Sequence, residues 1–407
     1  MTEGEGWPSA RIQDLCVDVN VGFVGPSSEV RSPTGVPFLM GKNIGPGYLR
    51  LEGLERVDPA FHDSQRKSQL VAGDVVVVRI GESGQAARIP PSLGQANCAG
   101  LVIIKQPRGI DGDFLTLYLN SAEGRETSIA RSAGTTRQTL NTQTVANMVV
   151  PLPPEAVQRR IVDLMAHLDQ HLAHLRLELL VAERDLREGR AEAMRVGTFA
   201  RAGDAFDILM GRQRSPSRAS GPNMTPYLRA ANVKDGRLDL TDVKEMDFNT
   251  EERVRFGLRR GDVLVSEGSG SADAVGAAAR WREEIGGPLC FQNTLLRFRS
   301  RQGTTIPDFV YQWCRWAYES GAFRETASGT NILHIGSTRA VEMPVRIPNL
   351  RDQEALCQVL EARESVCVSL GMEIESLQTV RAQTLDALLS GASSIPEEYD
   401  QLSSEAV

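Results

Sequence analysis

The sequence predicts an α+β protein with two tandem-repeat, β-rich α/β domains separated by two long helices. We expect these helices to form an antiparallel coiled coil, with a pseudo-two-fold axis relating the two halves. The first observation behind this prediction is an internal repeat that spans most of the 407 residues. The second is a long apolar pattern of helical period after each copy of the repeat. A duplication with divergent interiors predicts two similar domains that face similar but non-identical targets.

Three pairs of stretches carry the repeat: Pro37–Ile44 with Pro226–Val233, Gly73–Val78 with Gly261–Ser266, and Gly134–Ile161 with Gly329–Leu356. The offset is 189 residues in the first pair and 195 in the last. The second copy therefore carries a small insertion, which we place near residues 268–290.

Each domain combines short apolar or β-branched runs with a short helix and ends at a proline before a long helix. The predicted segments are a first domain at 1–152, a central helix at 153–197, a second domain at 198–347, a C-terminal helix at 348–391 and a disordered tail at 392–407. The predicted strands include Val75–Val78, Leu101–Ile104, Val263–Val265 and Leu295–Phe298. The predicted short helices are Asp113–Ser121 and Asp308–Tyr318.

Each long helix has about 40 residues and a length of ~60 Å. A narrow apolar stripe on so long a helix is typical of a coiled-coil seam, and the simplest partner of each helix is the other one. Antiparallel pairing would return the second helix towards the first domain. The predicted seam residues are Leu164, Leu168, Leu175, Leu179, Leu186, Leu356, Val366, Leu370, Leu377 and Leu388.

Composition indicates a globular protein, and no apolar run reaches the ~20 residues that a membrane helix needs. Since no signal peptide is recognisable at the N-terminus, we expect a cytoplasmic protein. Six cysteines without a Cys-x-x-Cys pair are expected to be buried, reduced thiols. The net charge of −7 argues against indiscriminate nucleic-acid binding, but the second domain has 21 Lys and Arg against 18 Asp and Glu.

Catalytic patterns do not emerge from the sequence. It contains no phosphate-binding Gly-x-x-x-x-Gly-Lys-[Ser/Thr] loop, and Gly268–Gly276 is better explained as a hairpin tip than as a cofactor loop. His167, His171 and His174 lie on one helix at metal-binding spacing but have no Glu or Cys companion. We therefore predict neither catalytic residues nor a metal site in this chain.

The positive signals favour reading of nucleic acid. Asn can hydrogen-bond to adenine and Lys or Arg to guanine, and such residues follow a short strand in both copies. A cap on a turn is an equally good interpretation of Asn43 and Asn232. Polar loops and a basic stretch provide the remaining candidates, and phosphate contact is only slightly favoured over a solvated surface for the basic stretch. The candidate DNA-binding residues are Lys42, Asn43, Arg79, Arg131, Thr135, Arg137, Gln138, Arg212, Arg214, Arg218, Arg229, Asn232, Lys234, Thr330, Asn331 and His334.

The chain resembles the DNA-specificity subunits of Type I restriction–modification systems. The resemblance rests on Pro151–Ile161 and its echo Ile347–Gln353, on the repeated Gly-Asp strands, and on the Gly6-Trp7-Pro8 start. The second copy departs from the pattern because it lacks the Trp-Pro start, so the beginning of the second domain is uncertain by about ten residues. The resemblance covers about residues 6–391.

This resemblance implies two target recognition domains that read a bipartite site in double-stranded DNA, and a phage-defence role. It implies a non-catalytic scaffold for two methylation subunits, with motor–nuclease subunits as further partners. S-adenosylmethionine, ATP and Mg would then belong to those partners. Two other hypotheses remain: a self-contained DNA-modifying enzyme with duplicated reading arms, and a coiled-coil protein adaptor. The sequence gives neither the recognised bases nor the gap between them.

Overall fold

The computed structural model describes residues 6–26, 30–130, 140–269, 274–329 and 333–400. The chain divides into two compact units, of which unit 1 comprises residues 1–175 and 373–407 and unit 2 comprises residues 176–372. Both units contain part of each long helix. The structural units thus differ from the predicted segments, which set each helix apart as a spacer.

Unit 1 contains ten short strands, four short helices and the start of a long helix, among its described residues. The strands are β1 (Ser9–Arg11), β2 (Asp18–Val21), β3 (Arg31–Leu39), β4 (Glu55–Val57), β5 (Gln69–Leu70), β6 (Val75–Val78), β7 (Ala86–Arg88), β8 (Ala96–Cys98), β9 (Leu101–Lys105) and β10 (Val149–Pro151). The helices are α1 (Pro59–Ser64), α2 (Gly112–Asn120), α3 (Ala122–Ala130), α4 (Thr142–Ala146) and the long α5 (Glu155–Ala193).

Unit 2 repeats this order after α5. Its strands are β11 (Thr198–Arg201), β12 (Phe206–Met210), β13 (Met224–Leu228), β14 (Lys244–Asp247), β15 (Val263–Ser266), β16 (Gly268–Ser269), β17 (Ala278–Arg280), β18 (Cys290–Phe291), β19 (Leu295–Ser300), β20 (Leu333–His334) and β21 (Pro344–Ile347). Its helices are α6 (Ala202–Ala205), α7 (Thr250–Phe256), α8 (Pro307–Glu319), α9 (Ala322–Thr326), α10 (Ser337–Glu342) and the long α11 (Leu350–Ser390).

Three sheets recur in both units, although β5 of the second sheet has no counterpart among the described strands of unit 2. Sheet β2-β9-β6-β7 is antiparallel and corresponds to β12-β19-β15-β17. A second sheet contains a parallel pair in each unit, β3 with β8 and β13 with β18. A third pairs the first and last strands, β1 with β10 and β11 with β21. β11 therefore occupies the place in unit 2 that β1 has in unit 1, although its sequence does not repeat the Trp-Pro start.

The pairing register of the strands also locates the insertion in the second copy. Val75 on β6 faces Arg88 on β7, and its counterpart Val263 on β15 faces Arg280 on β17. The offset between the copies therefore grows by four residues between β15 and β17. This lies inside the stretch 268–290 where the sequence predicted it, and it is accompanied by the two-stranded sheet β16–β20, which has no counterpart among the described residues of unit 1.

The four valines of β6 are all buried, because both faces of the first sheet are covered. Val75 and Val77 join a core with the helix residues Phe114 and Leu115. Val76 and Val78 point the other way, into the core beneath the second sheet. Such two-sided burial explains why the strand is a continuous apolar run instead of an alternating one.

The repeated Gly-Asp motif builds the turn before this strand. Gly73 and Gly261 both have φ +91°, a conformation that L side chains rarely adopt. The buried Asp74 carboxylate accepts hydrogen bonds from the Lys105 ammonium at 2.8 Å and from the Val71 backbone N–H at 3.1 Å. Asp262 forms the same turn and pairs with Arg299 at 2.6 Å. The Gly-Asp motif thus has a structural role, because it forms the turn before this strand in both units.

The paired glutamines at the start of the long helices are also structural. The buried Gln158 Oε1 accepts from the Asp111 backbone N–H at 2.7 Å, and its Nε2 donates to the Pro153 carbonyl at 2.8 Å. Gln353 likewise accepts from the Ile306 N–H at 3.0 Å and donates to the Pro348 carbonyl at 2.8 Å. Each amide satisfies buried backbone groups where a short helix meets a long one.

The long helices α5 and α11 form the antiparallel coiled coil. In unit 1 the Arg381 guanidinium pairs with Asp169 at 2.6 Å, and in unit 2 Arg363 lies 3.4 Å from Asp185. Nine of the ten predicted seam residues are buried or half-buried. The exception is Val366, whose relative exposure is 52%. That prediction was wrong, because Cys367, one position along the helix, packs against the core of unit 2.

The tail also differs from its prediction as far as Asp400. Ile395 packs against the core of unit 1, and the Asp400 carboxylate accepts two hydrogen bonds from Arg160 on α5 at 2.8 and 2.7 Å. The expected disorder is therefore replaced by contacts with α5 up to this residue. Residues 401–407 lie outside the described part of the chain.

Candidate nucleic-acid interface

Asn43 and Asn232 hold turns after strands β3 and β13. Both are only 2% exposed. The Asn43 Oδ1 accepts from the Met40 N–H at 3.0 Å, and its Nδ2 donates to the Arg50 carbonyl at 3.1 Å. Asn232 accepts from the Arg229 N–H at 3.0 Å and donates to the Asp239 and Asp242 carbonyls. The prediction that these amides read bases is therefore wrong, because their hydrogen-bonding groups are already bonded to backbone groups.

The cations beside these turns are more accessible. Lys42 is 57% exposed and pairs with Glu55 of β4 at 2.6 Å. Arg229 is 25% exposed and pairs with Asp242 at 2.6 Å, an acid that it shares with Lys244 of β14. Lys234 is exposed. These side chains occupy the same edge of the second sheet in both units.

Equivalent positions on this edge carry opposite charges. Glu55 faces Phe38 across the β3–β4 pair, and Lys244 faces Tyr227 at the same place in β13–β14. The next pair likewise places Arg56 in unit 1 and Glu245 in unit 2. The shared framework therefore presents different charge patterns to a ligand.

The predicted basic stretch forms one wall of an open recess in unit 2. Its lining includes Arg214, Arg218, Tyr227, Arg229, Lys244 and Gln292. Glu252 of α7 orients two of the arginines, since its carboxylate accepts from Arg212 at 2.7 Å and from Arg218 at 2.6 Å. Burial tends to raise the pKa of Glu252, but the hydrogen bonds from Arg218, Asn249 and Arg212 outweigh this effect and lower it. Arg214 is exposed and has no ion pair with any described residue.

Arg79 follows β6 of the first sheet of unit 1, and His334 lies on β20, which pairs with β16 in unit 2. The Arg79 Nε donates to the Leu140 carbonyl at 3.1 Å. The His334 Nδ1 lies 2.8 Å from Glu267 Oε2. The other loop candidates lie outside the described residues: Arg131, Thr135, Arg137, Gln138, Thr330 and Asn331.

Several residues of these groups were absent from the sequence prediction, among them Lys244, Glu252 and Glu267. The repeat itself contains a signal for Lys244, because the 189-residue offset aligns it with the acidic Glu55. Glu252 could not be found in this way, since its role depends on how α7 lies beside the basic stretch.

The described residues give no sign of a metal centre or a membrane segment. No group of three or more His, Cys, Asp or Glu side chains among them could hold a metal ion. No described helix is long and apolar enough to cross a membrane. All six cysteines are free thiols, and burial raises the pKa of Cys290 to about 12.

Comparison with known proteins finds a family model that is similar to the N-terminal part of the chain. Residues 4–180 match the model of the Type I restriction modification DNA specificity domain. Comparison with curated protein sequences gave no match.

Solved structures with the same fold extend over almost the whole chain. A chain from work on complex assembly and conformational transition of the type I R-M system has a TM-score of 0.65 and 17% identity, with 96% of this chain and 99% of that one covered. The HsdS subunit from Thermoanaerobacter tengcongensis has a TM-score of 0.51 and 19% identity over 96% and 100%. The type I S subunit from M. genitalium has a TM-score of 0.52 and 15% identity over 96% and 97%.

Unit 2 repeats the sheets and buried motifs of unit 1, so the features of the matched half recur in the other. Residues 4–180 are thus similar to the type I DNA specificity domain, and almost the whole chain shares its fold with the HsdS subunit from Thermoanaerobacter tengcongensis and the type I S subunit from M. genitalium.

Proposed function

We propose that this chain is the DNA-sequence-recognition subunit of a type I restriction–modification complex and that each unit reads one half of a bipartite site. The observation that supports this proposal is that the buried turns of the two units match, whereas the charges at the edge of their second sheets differ. Buried Asp74 and Asp262 build matching turns, whereas Glu55 and Lys244, at equivalent positions on the sheet edge, differ in charge. A constant scaffold with variable polar edges suits direct readout of two different half-sites.

The chain acts as a non-catalytic scaffold in this proposal. Two methylation subunits bind it and carry S-adenosylmethionine, and motor–nuclease subunits with ATP and Mg can join the complex. Cations of unit 2, among them Arg214 and Arg218 of the open recess, supply phosphate attraction, although the chain as a whole is acidic. The purified chain should therefore show no methylation, cleavage or ATP hydrolysis of its own.

A self-contained enzyme and a protein adaptor remain the alternatives. Stoichiometric binding of S-adenosylmethionine by the purified chain, measured by titration calorimetry, would favour the enzyme. An adaptor would not retard DNA in a sequence-dependent way in the presence of methylation subunits. Both outcomes differ from those expected for a recognition subunit.

Domain exchange tests the proposal directly. Residues 1–150 are replaced by the corresponding domain of a relative, and the variant is co-produced with its methylation subunits. Genome-wide mapping of methylated bases should show a change in one half-site only, because each unit has its own sheets and cores. The unmodified chain with the same partners is the control, and a simultaneous change in both half-sites would refute separate reading.

A further inference from the structure

His334 on β20 and Glu267, which directly follows β15 of the first sheet, form a pair in unit 2. The ring is 51% exposed, whereas the Glu267 side chain beneath it is 10% exposed. The His334 Nδ1 lies 2.8 Å from Glu267 Oε2. A carboxylate can only accept, so Nδ1 carries the proton and the ring is fixed with Nε2 on its other side.

The backbone around the pair leaves room for this ring. Gly268 faces His334 in the β16–β20 pair. A Cβ at position 268 would lie 2.4 Å from His334 Nδ1 and 2.8 Å from its Cε1, so a larger residue would displace the ring. The Arg339 side chain donates to the backbone carbonyl of His334 and holds the strand from the other side.

Unit 1 has a different group in the same place. The Leu140 N–H donates to the Arg79 carbonyl at 3.1 Å, and the Ile335 N–H donates to the Glu267 carbonyl at 2.9 Å. Arg79 and Glu267 therefore occupy equivalent positions at the end of β6 and β15. A cation in one copy corresponds to an anion with a histidine in the other.

We propose that His334 is a specificity-determining residue that contacts a base edge through Nε2, and that Glu267 is its positioning residue. The inference rests on the proposed function and adds a named contact to it. When the ring is neutral and its Nδ1–H is held by the carboxylate, Nε2 is an acceptor for the exocyclic amine of adenine or cytosine in the major groove.

Charge favours a base over a phosphate as the target. A phosphate contact needs a hydrogen-bond donor and gains most of its strength from a cation that neutralises the phosphate charge. The Glu267–His334 pair has a net charge of zero when the ring is protonated and −1 when it is neutral. It therefore offers no net attraction to the DNA backbone, whereas a fixed ring nitrogen suits directional hydrogen bonding. Among the described residues Nε2 has no partner of its own.

Two substitutions test the proposal in the complex with its methylation subunits. His334→Ala removes the contact without opening a buried site, and Glu267→Gln keeps the size of the side chain. An amide can face Nδ1 with either its oxygen or its nitrogen, so it no longer fixes the position of the proton. Glu251→Gln is the control, since it removes an exposed carboxylate of α7.

The readouts are the methylated motif and the binding of DNA probes that differ at single positions. We expect His334→Ala to reduce discrimination about fivefold to tenfold at one position of one half-site, the lower end of a base contact. Glu267→Gln should reduce it at the same position, and the other half-site should remain unchanged. Thermal unfolding should match that of Glu251→Gln.

Other outcomes contradict the proposal. Unchanged discrimination would exclude a base contact, and equal weakening for all sequences with a smaller salt dependence would assign His334 to a phosphate. A specific effect of His334→Ala without any effect of Glu267→Gln would refute the positioning role. If the wild-type complex methylated no bipartite motif, the proposed function itself would fail, and this inference with it.

Discussion

Buried amides at the start of α5 and α11 show how single residues maintain the repeated architecture. Replacing Gln158 by Leu would leave the Asp111 N–H and the Pro153 carbonyl without their partners. A buried group that loses its hydrogen bond costs about 1–3 kcal/mol. We expect Gln158→Leu to lower the free energy of unfolding by about 2–5 kcal/mol, measured by urea denaturation.

Hydrogen exchange provides the local control for this prediction. The Asp111 amide should exchange faster in Gln158→Leu, whereas the exposed Gln378→Leu on α11 should leave both exchange and stability nearly unchanged. Equal destabilisation by the two variants would show that the amide contacts of Gln158 contribute little.

Arg214 should behave as a phosphate contact. It is exposed in the basic recess of unit 2 and has no ion pair with a described residue. We expect Arg214→Ala in the assembled complex to weaken binding to all DNA sequences and to reduce the slope of log affinity against log salt by about one. Binding titrations over a range of salt concentrations measure both quantities.

Arg229 provides the contrast with Arg214. It lies at the end of β13 and is oriented by Asp242 at 2.6 Å. If it contacts a guanine edge, Arg229→Ala should relax one position of a half-site, with a loss of roughly 1–3 kcal/mol in discrimination. A uniform loss for all probes would instead place this guanidinium at a phosphate.

Residue type alone could not reveal the role of Asn43 and Asn232. Both amides can recognise adenine, and the sequence left this hypothesis open beside that of a turn cap. The structure decides it through contacts with backbone groups, such as the Arg50 carbonyl seven residues after Asn43. Such contacts depend on the path of the chain after the strand, which residue identity does not specify.

At the scale of elements, the coiled-coil seam allows a sharp comparison on one helix. Ile374 is 9% exposed and Val366 is 52% exposed, although both are β-branched residues of α11. Ile374→Ala should lower the free energy of unfolding by about 2–4 kcal/mol, since it removes buried methyl groups and leaves a cavity. Val366→Ala should change it by less than about 0.5 kcal/mol.

The free energies of unfolding of the two variants are measured by urea denaturation under the same conditions. If both variants lost a similar free energy of unfolding, Val366 would be covered in solution, as a residue of the seam should be. The sequence predicted the stripe because leucines recur at steps of three and four. It misplaced Val366 because Cys367, the next residue, is the one that is partly buried against the core of unit 2.

The strands and short helices could be predicted because their apolar residues form clear patterns in the sequence. Val75–Val78 and Leu101–Ile104 are continuous apolar runs, and the structure confirms both as buried strands. The predicted helices Asp113–Ser121 and Asp308–Tyr318 are confirmed within one residue at each end. The division into units was not predictable, because α5 continues without a break from one unit into the other.

At the scale of the whole molecule, that continuity yields a prediction about the gap between half-sites. Residues up to Leu175 of α5 belong to unit 1 and those from Arg176 to unit 2. On α11, the corresponding change falls between Met372 and Glu373. Four residues inserted into each helix at these boundaries would add about one turn, or ~6 Å, and would roughly preserve the seam.

The gap tolerated between half-sites should then grow by about one to two base pairs, because DNA rises ~3.4 Å per base step. The sequences of the half-sites should not change, since the insertions lie far along the chain from the strand ends of both units. A matched variant with four exposed residues replaced by alanine at the same boundaries controls for disturbance of the helices. The methylated motif is the readout. An active insertion variant with an unchanged gap would show that helix length does not determine the spacing, and an altered half-site would show that the helices take part in base reading.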